Sequence, residues 1–319
     1  MPVAWAAEDA FSRVTGAKID TSWPFFFNLH NGSNQFTRRI IQFLTIPSYC
    51  RSKLFRSTQD VFMFLMDFPK KLIPLFCNPS LRISLYLFDV WEPGWNRLEE
   101  FLSAASGIQR VFMSSYQAAE HFRDRLRIEV KWVPQAANSS EFSFVAKEWK
   151  RKKNIIINMG RKNRVLDDFL VEFSRKYNFD YIRGRYPGEV RFKFRKDFLN
   201  ALYSARVVVV HPQNLDQPEK TGCVSMLTAR YFEAYQSGGV VCGFKPHSGE
   251  FEKVLGGFPF VEYTNSCQFE SDLLSAIASP EPWIAAVDLC REFHTWERRL
   301  LSIKSGHKEE LPAASRVLA

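Results

Sequence analysis

The chain has no Cys-x-x-Cys pair, no cysteine-histidine cluster and no internal repeat or low-complexity stretch. Its six cysteines, Cys50, Cys77, Cys223, Cys242, Cys267 and Cys290, are scattered, and several lie inside apolar segments. That usage excludes a disulfide scaffold or zinc module and fits reduced thiols of a cytoplasmic protein. No apolar run approaches the ~20 residues that span a bilayer. The longest, Val61–Met66, stops at Asp67 and reads as a strand. No leader-like segment opens the chain, so the expectation is a soluble or at most peripheral protein. Helix-turn-helix and RNA-recognition signatures are absent as well.

What is present is a large apolar supply. Of 319 residues, 46% are hydrophobic, and 30 are Phe, enough for two domains by the usual size range. The net charge of +9 makes a polyanionic partner plausible in kind, whether nucleotide diphosphate, nucleic acid or anionic membrane, without choosing among them.

One stretch organises the rest: Thr221–Phe244, TGCVSMLTARYFEAYQSGGVVCGF. It reads as a loop, a helix over Leu227–Ser237 started by Ser225 and Thr228, a break at Gly238 and Gly239, and a core strand Val240–Gly243. A single carboxylate, Glu233, sits among the helix's apolar residues. A helix start can hold a diphosphate, and a carboxylate further in can accept from both ribose hydroxyls. The alternative is a surface ion pair of Glu233 with Arg230, three residues before it.

The first half alternates strands and helices. Phe25–Leu29, the turn Asn31-Gly32-Ser33 and a helix to Phe43 form a nucleotide-binding-type opening unit. Two strands then end in acids, Asp67 and Asp89, and the loop VWEPGW after Asp89 adds Glu92 and two tryptophans, a composition suited to sugar faces and hydroxyls. Ligands gather beyond the carboxyl ends of parallel strands, which makes Asp89 a candidate acid-base group. A turn-capping role for Asp89 is the alternative. A strand at Arg110–Met113, a helix begun at Ser114/Ser115, and a strand Val130–Val133 running into Pro134-Gln135 follow.

After the polar, basic linker 138–153 the alternation restarts with strand Asn154–Met159 and Gly160-Arg161-Lys162, helix Val165–Tyr177 and strand Asp180–Ile182. In EVRFKFRK the basic residues Arg191, Lys193 and Arg195 alternate with Val190, Phe192 and Phe194. This reads as a half-buried strand with a solvated basic face rather than a nucleic-acid platform. Helix Asp197–Ala205, strand Arg206–Pro212, a loop carrying Lys220, helix Gly249–Leu255, strand Phe258–Glu262 and helix Cys267–Ala278 complete the pattern.

These units resemble, in order and spacing, the group 1 (GT-B fold) nucleotide-sugar-dependent glycosyltransferases. The residues that carry the resemblance are R-x-x-E-A-x-x-x-G at Arg230–Gly238, the V-x-x-x-S and V-x-W-x-P-Q stretches of Val111–Asn138, Gly160-Arg161, and WERRLLSI near the C-terminus. The resemblance implies an α/β architecture of two Rossmann-like domains facing each other across a cleft. Residues 1–137 form an acceptor-side domain, 138–304 a nucleotide-sugar domain closed by a helix that folds back over the first, and 305–319 a mobile tail. It further implies sugar transfer from a nucleotide diphosphate sugar to the hydroxyl of a glycan, glycolipid or other acceptor. The nucleotide sugar is co-substrate, with no resident cofactor or metal.

Donor contacts would be Arg161, Lys162, Lys220, Ser225, Thr228 and Glu233. Asp89, with His30 as second choice, would be catalytic, and Gly32 and Glu92 would lie on the acceptor side. The expected lysine five or six residues after Arg161 is missing, since Lys162 and Arg164 come sooner. Retaining members often place a second glutamate eight residues before the ribose one, where this chain has Ser225; this leaves stereochemistry open and motivates an alternative, a catalytically degenerate nucleotide- or glycan-binding protein. A nucleic-acid-binding protein is the third reading, and it rests on charge alone. Peripheral contact with the inner face of a membrane is left open.

Overall fold

The structure is a computed structural model that describes residues 7, 10, 12–16, 59–65, 81–142, 146–160, 163–184, 192 and 194–305. The expected strand Phe25–Leu29, with His30 and Gly32, lies outside these residues, as do Asp67, Arg161, Lys162 and the tail after Ser305.

The described chain forms two parallel sheets. In the first, β1 (Gln59–Leu65), β2 (Leu81–Leu87), β3 (Ile108–Met113) and β4 (Glu129–Trp132) pair in sequential order, with α1 (Trp95–Ala104) and α2 (Tyr116–Arg123) as crossovers. Both faces are covered at the centre of the sheet, where Leu85–Leu87 and Val111–Met113 are apolar without a break, while β4 still alternates. Ile83, Leu85 and Leu87 of β2 turn to the helical side and pack with Leu98, Phe101 and Phe122. Tyr86 and Phe88 point the other way, into a cluster with Phe112, Trp296 and Leu300.

The second sheet has the order β6-β5-β7-β8-β9. It comprises β5 (Lys153–Asn158), α3 (Arg164–Tyr177), β6 (Asp180–Ile182), α4 (Arg195–Ser204), β7 (Ala205–Val210), α5 (Pro218–Thr221), α6 (Ala229–Gln236), β8 (Val240–Gly243), α7 (Glu250–Leu255), β9 (Val261–Glu262) and α8 (Ser266–Ala278). Strand order reverses between β5 and β7, the kind of crevice where α/β sheets bind ligands. The fully buried Val207–Val209 and Val240–Cys242 lie at the centre of its core.

The C-terminal stretch is two helices, α9 (Glu281–Phe293) and α10 (Trp296–Ser305). The chain passes between the halves twice, and the two passages lie side by side: Ala137 bridges Thr295, and the Trp296 N–H donates to the Ala137 carbonyl at 3.2 Å. The second passage delivers Trp296 against Tyr86 (ring centroids 5.5 Å apart) and Phe88 (5.8 Å), anchoring α10 on the first sheet. Burying one Trp here is worth several kcal/mol, at ~25 cal/mol per Å².

Two segments depart from the sequence reading. The strand expected over Phe258–Glu262 pairs only at Val261 and Glu262. The strand expected at residues 189–196 is not one at its described positions: Phe192 and Phe194 lie outside any strand, and Arg195 opens α4.

Candidate functional site

The loop into α6 is the centre of the cleft. Gly222 turns the chain with φ 61, and α6 begins at Ala229 behind Thr228, an extended N-cap whose side chain makes no capping bond. The helix therefore starts later than the sequence suggests, and Ser225 does not open it. The reason is tertiary. Four alternate N–H groups of the preceding segment and first turn are taken by side chains from elsewhere. Cys223 donates to Glu92 Oε2 at 2.7 Å, Ser225 to Gln117 Oε1 at 2.8 Å, Leu227 to Glu250 Oε2 at 2.6 Å, and Ala229 to Gln135 Oε1 at 2.9 Å. Alternate N–H groups of an extended chain face one way, so this edge is held like a strand edge. Gly222 is required where it is, because a Cβ there would meet Glu92 Oε2 at 2.3 Å.

Three of those four acceptors, Glu92, Gln117 and Gln135, come from the first sheet's half or the passage out of it, and Gln135 also bonds Asp89. This residue turns the chain after β2 with φ 50, a left-handed conformation that Asp tolerates. Its N–H donates to Ser114 Oγ at 3.2 Å, and its Oδ1 accepts from Gln135 Nε2 at 3.2 Å. One amide, Gln135, thus joins the Asp89 carboxylate to the first N–H of α6. Burial raises the Asp89 carboxyl above the usual range, against the opposing pull of Gln135 and of Lys220, an exposed residue of α5. Glu92 is exposed, and its bond from the Cys223 N–H lowers its carboxyl below the usual range.

Glu233 lies one turn into α6 and is buried, its side chain 4% exposed. Oε1 accepts from Arg195 at 2.6 Å and Oε2 from Arg230 at 2.9 Å. The Arg230 pair anticipated as a surface alternative is present, but it belongs to a buried network. Arg195 also bonds Glu141 Oε2 at 2.6 Å, and both guanidiniums lie over the Phe198 ring, at 5.0 and 4.9 Å. Arg195, expected on a solvated strand face, is instead the main partner of a buried carboxylate, which must be paired to stay charged. A carboxylate has about four lone-pair sites, and the two arginines account for two of those on Glu233.

At the carboxyl end of β7, His211 Nε2 sits 2.6 Å from Asp216 Oδ2, with both side chains buried. Gly160, after β5, packs against the His211 ring. Arg161 and Lys162, which follow Gly160, are outside the described residues, and so are His30 and Gly32.

Of the sequence candidates, the structure brings together Asp89, Glu92, Lys220, Ser225 and Thr228 around the loop into α6. It places Glu233 in the same helix with cationic partners of its own. The Ser225 hydroxyl accepts from the His247 N–H at 3.3 Å, so it holds the β8–α7 loop. Gln117, Gln135 and Glu250 were not singled out from sequence, although Gln135 stands in the P-Q stretch, and Arg195 was read only as part of a solvated basic face. Among the described residues no group of three or more His, Cys, Asp or Glu could hold a metal ion. Cys223 and Cys267 are exposed free thiols, and Cys242 and Cys290 are buried ones.

Two facing α/β units with the site loop between them define the GT-B fold, and solved structures share it. Sucrose-phosphate synthase from Thermosynechococcus elongatus aligns over 91% of this chain and 79% of its own, with TM-score 0.55 and 12% identity. Staphylococcus aureus TarM, solved with fondaparinux, alpha-GlcNAc-glycerol and UDP, aligns over 81% of this chain and 57% of its own, with TM-score 0.51 and 13% identity. HepE from Anabaena, solved with UDP, aligns over 77% and 78%, with TM-score 0.52 and 12% identity. The architecture is thus that of GT-B glycosyltransferases. No protein-family profile matches the chain, and no curated protein sequence matches it.

Proposed function

We propose that the chain is a glycosyltransferase that moves a hexosyl unit from a nucleotide diphosphate sugar to a hydroxyl of a glycan or glycolipid acceptor. The observation that carries this reading is the Gln135 bridge. It places a carboxylate with raised proton affinity, Asp89, one amide away from the N-terminus of the helix that bears Glu233. A helix N-terminus favours a diphosphate, and a positioned carboxylate can take the proton of an attacking hydroxyl.

In this scheme Arg161, Lys162 and Lys220 meet the diphosphate charge, the dipole of α6 adds to them while the N–H groups of Ser225, Leu227 and Ala229 stay bonded to Gln117, Glu250 and Gln135, and Glu233 accepts from the ribose hydroxyls. The acceptor hydroxyl attacks the anomeric carbon while its proton passes to Asp89. The bond from that carbon to the diphosphate breaks, and the diphosphate leaves with the electron pair, stabilised by fixed donors. The protein's own cations fill the role a divalent ion would otherwise have. Uridine nucleotides are the first donors to try, because the TarM and HepE structures hold UDP.

The test is diphosphate release from a panel of UDP-, GDP-, ADP- and TDP-sugars, with glycan and glycolipid acceptor mixtures. Release from one nucleotide series, abolished in Asp89→Asn, is the expected result. Nucleotide binding with no release in any mixture would contradict transfer.

A further inference from the structure

The cleft contains a second carboxylate that the scheme above does not use. Glu250 is fully buried at the first position of α7, where Gly249 turns the chain with φ 74. Phe251, Val254 and Leu255 anchor α7 in the core of the second half. The carboxylate reaches from α7 to two other elements. Its Oε2 accepts from the Leu227 N–H, on the loop into α6, and its Oε1 accepts from the Tyr116 N–H, each at 2.6 Å. Tyr116 is the first residue of α2, in the other half of the molecule. The anion therefore sits at a helix N-terminus, where the orphan N–H groups and the helix dipole favour it. Lys253, one turn along α7, places its ammonium 3.1 Å from the centre of the Tyr116 ring.

We infer that Glu250 is a positioning residue that fixes the spacing of the cleft, joining the donor-side loop to the N-terminus of α2 through one carboxylate. The functional part of this inference rests on the transfer reading above; the bridge itself does not. Both bonds end on main-chain N–H groups, so the span is set by backbone rather than by mobile side chains. Movement of α2 away from α7 breaks one bond and leaves a buried acceptor half satisfied, which is costly. Both oxygens of Glu250 are taken by main-chain N–H groups. Its effect belongs to the alignment of the two substrates rather than to donor affinity, and alignment errors of about 1 Å are costly in rate.

The test uses the full chain with Glu250→Gln, which leaves one good acceptor, and Tyr116→Pro. Proline is tolerated at the first position of a helix, so that variant removes only the N–H and the ring. Tyr116→Ala removes the ring alone, and Glu252→Ala is an exposed control on the same helix. Amide exchange is followed across residues 116–119 and 225–229, and kcat and KM for the donor are measured beside it.

Glu250→Gln is expected to speed exchange in both segments about tenfold, with kcat lowered about tenfold or more and donor KM within about threefold. Tyr116→Pro should reproduce the kcat loss and Tyr116→Ala should not. Unchanged exchange at 116–119 in Glu250→Gln would overturn the bridge. A donor KM raised in step with the kcat loss would overturn positioning and make Glu250 a donor-site residue. If the wild type turns over no nucleotide sugar, the transfer reading fails, while the exchange measurement still decides the bridge.

Discussion

Apart from Glu250, which bonds across the cleft to Tyr116, the two walls hold their carboxylates differently. In the second half, Glu233 is paired by Arg195 and Arg230 of the same half, and Asp216 Oδ2 sits 2.6 Å from Nε2 of His211, five residues away. Among the described residues Asp89 and Glu92 of the first half make no ion pair, and Lys220 acts on Asp89 only through its charge. Asp89 reaches α6 through Gln135, and Glu92 bonds directly to the Cys223 N–H on the opposite loop. The carboxylates Asp89 and Glu92 are therefore held by hydrogen bonds that lead across the cleft, whereas Glu233 and Asp216 are held by partners of their own half. A wall with fixed charges suits holding a nucleotide. A wall whose carboxylate is half-buried and raised suits taking a proton.

The largest effect that could break this comparison is at Asp89. Asp89→Asn keeps the bond to Gln135 in shape and removes the base, and kcat should fall about 10²- to 10⁴-fold with little change in nucleotide affinity. Equal loss of affinity, measured by calorimetry, would place Asp89 with the second wall.

Next is Glu233→Ala, which strips the diol contacts and leaves Arg195 facing Glu141 alone. Nucleotide affinity should fall about 30-fold or more, and stability in urea by about 3 kcal/mol, as for other broken buried pairs. Arg230→Gln should cost less than about 1 kcal/mol, because that arginine is 35% exposed.

A third measurement concerns Glu250, whose carboxyl burial pushes up to about 7, against the N–H bonds from Leu227 and Tyr116 and the charge of Lys253. Between its ordinary 4.5 and 7 the folded chain keeps a proton that the unfolded chain has released. This group's contribution to stability is thus fullest below 4.5 and declines as pH rises through 7. Wild type should lose about 2 kcal/mol more than Glu250→Gln between roughly pH 5.5 and 8, read from denaturation curves at the two pH values. A larger loss in the variant would reverse the sign assigned to burial.

Smallest is Glu92→Gln, which keeps an acceptor for Cys223 on an exposed side chain and should change stability by less than about 1 kcal/mol. Gly222→Ala at the same contact should cost about 1–3 kcal/mol, since the added Cβ cannot fit beside Glu92 in a left-handed turn.

Much of the scaffold was legible because parallel strands covered on both faces leave continuous apolar runs such as Val207–Val210 and Leu85–Leu87. The helix through Glu233 announced itself by its glycine break at Gly238. The start of α6 was not legible, because Ser225 loses its capping role to contacts made by Gln117 and His247, 108 and 22 residues away. Arg195 was misread for a related reason. Its alternation with Phe192 and Phe194 looks like a strand, and only the fold shows the buried Glu233 it must pair. Glu250 gave no local signal at all, since its partners are two main-chain N–H groups on other elements. Short elements went the same way: β9 holds two residues against the edge of a sheet, too few for periodicity to mark.

The most direct test of the cleft as a nucleotide-sugar site is thermal stabilisation by UDP, GDP, ADP and TDP, with Glu233→Ala measured in parallel. The account predicts that one nucleotide raises the wild-type midpoint by several degrees at concentrations well above its Kd, and that Glu233→Ala loses the response while remaining folded. No stabilisation by any of the four, or an undiminished response in Glu233→Ala, would contradict it.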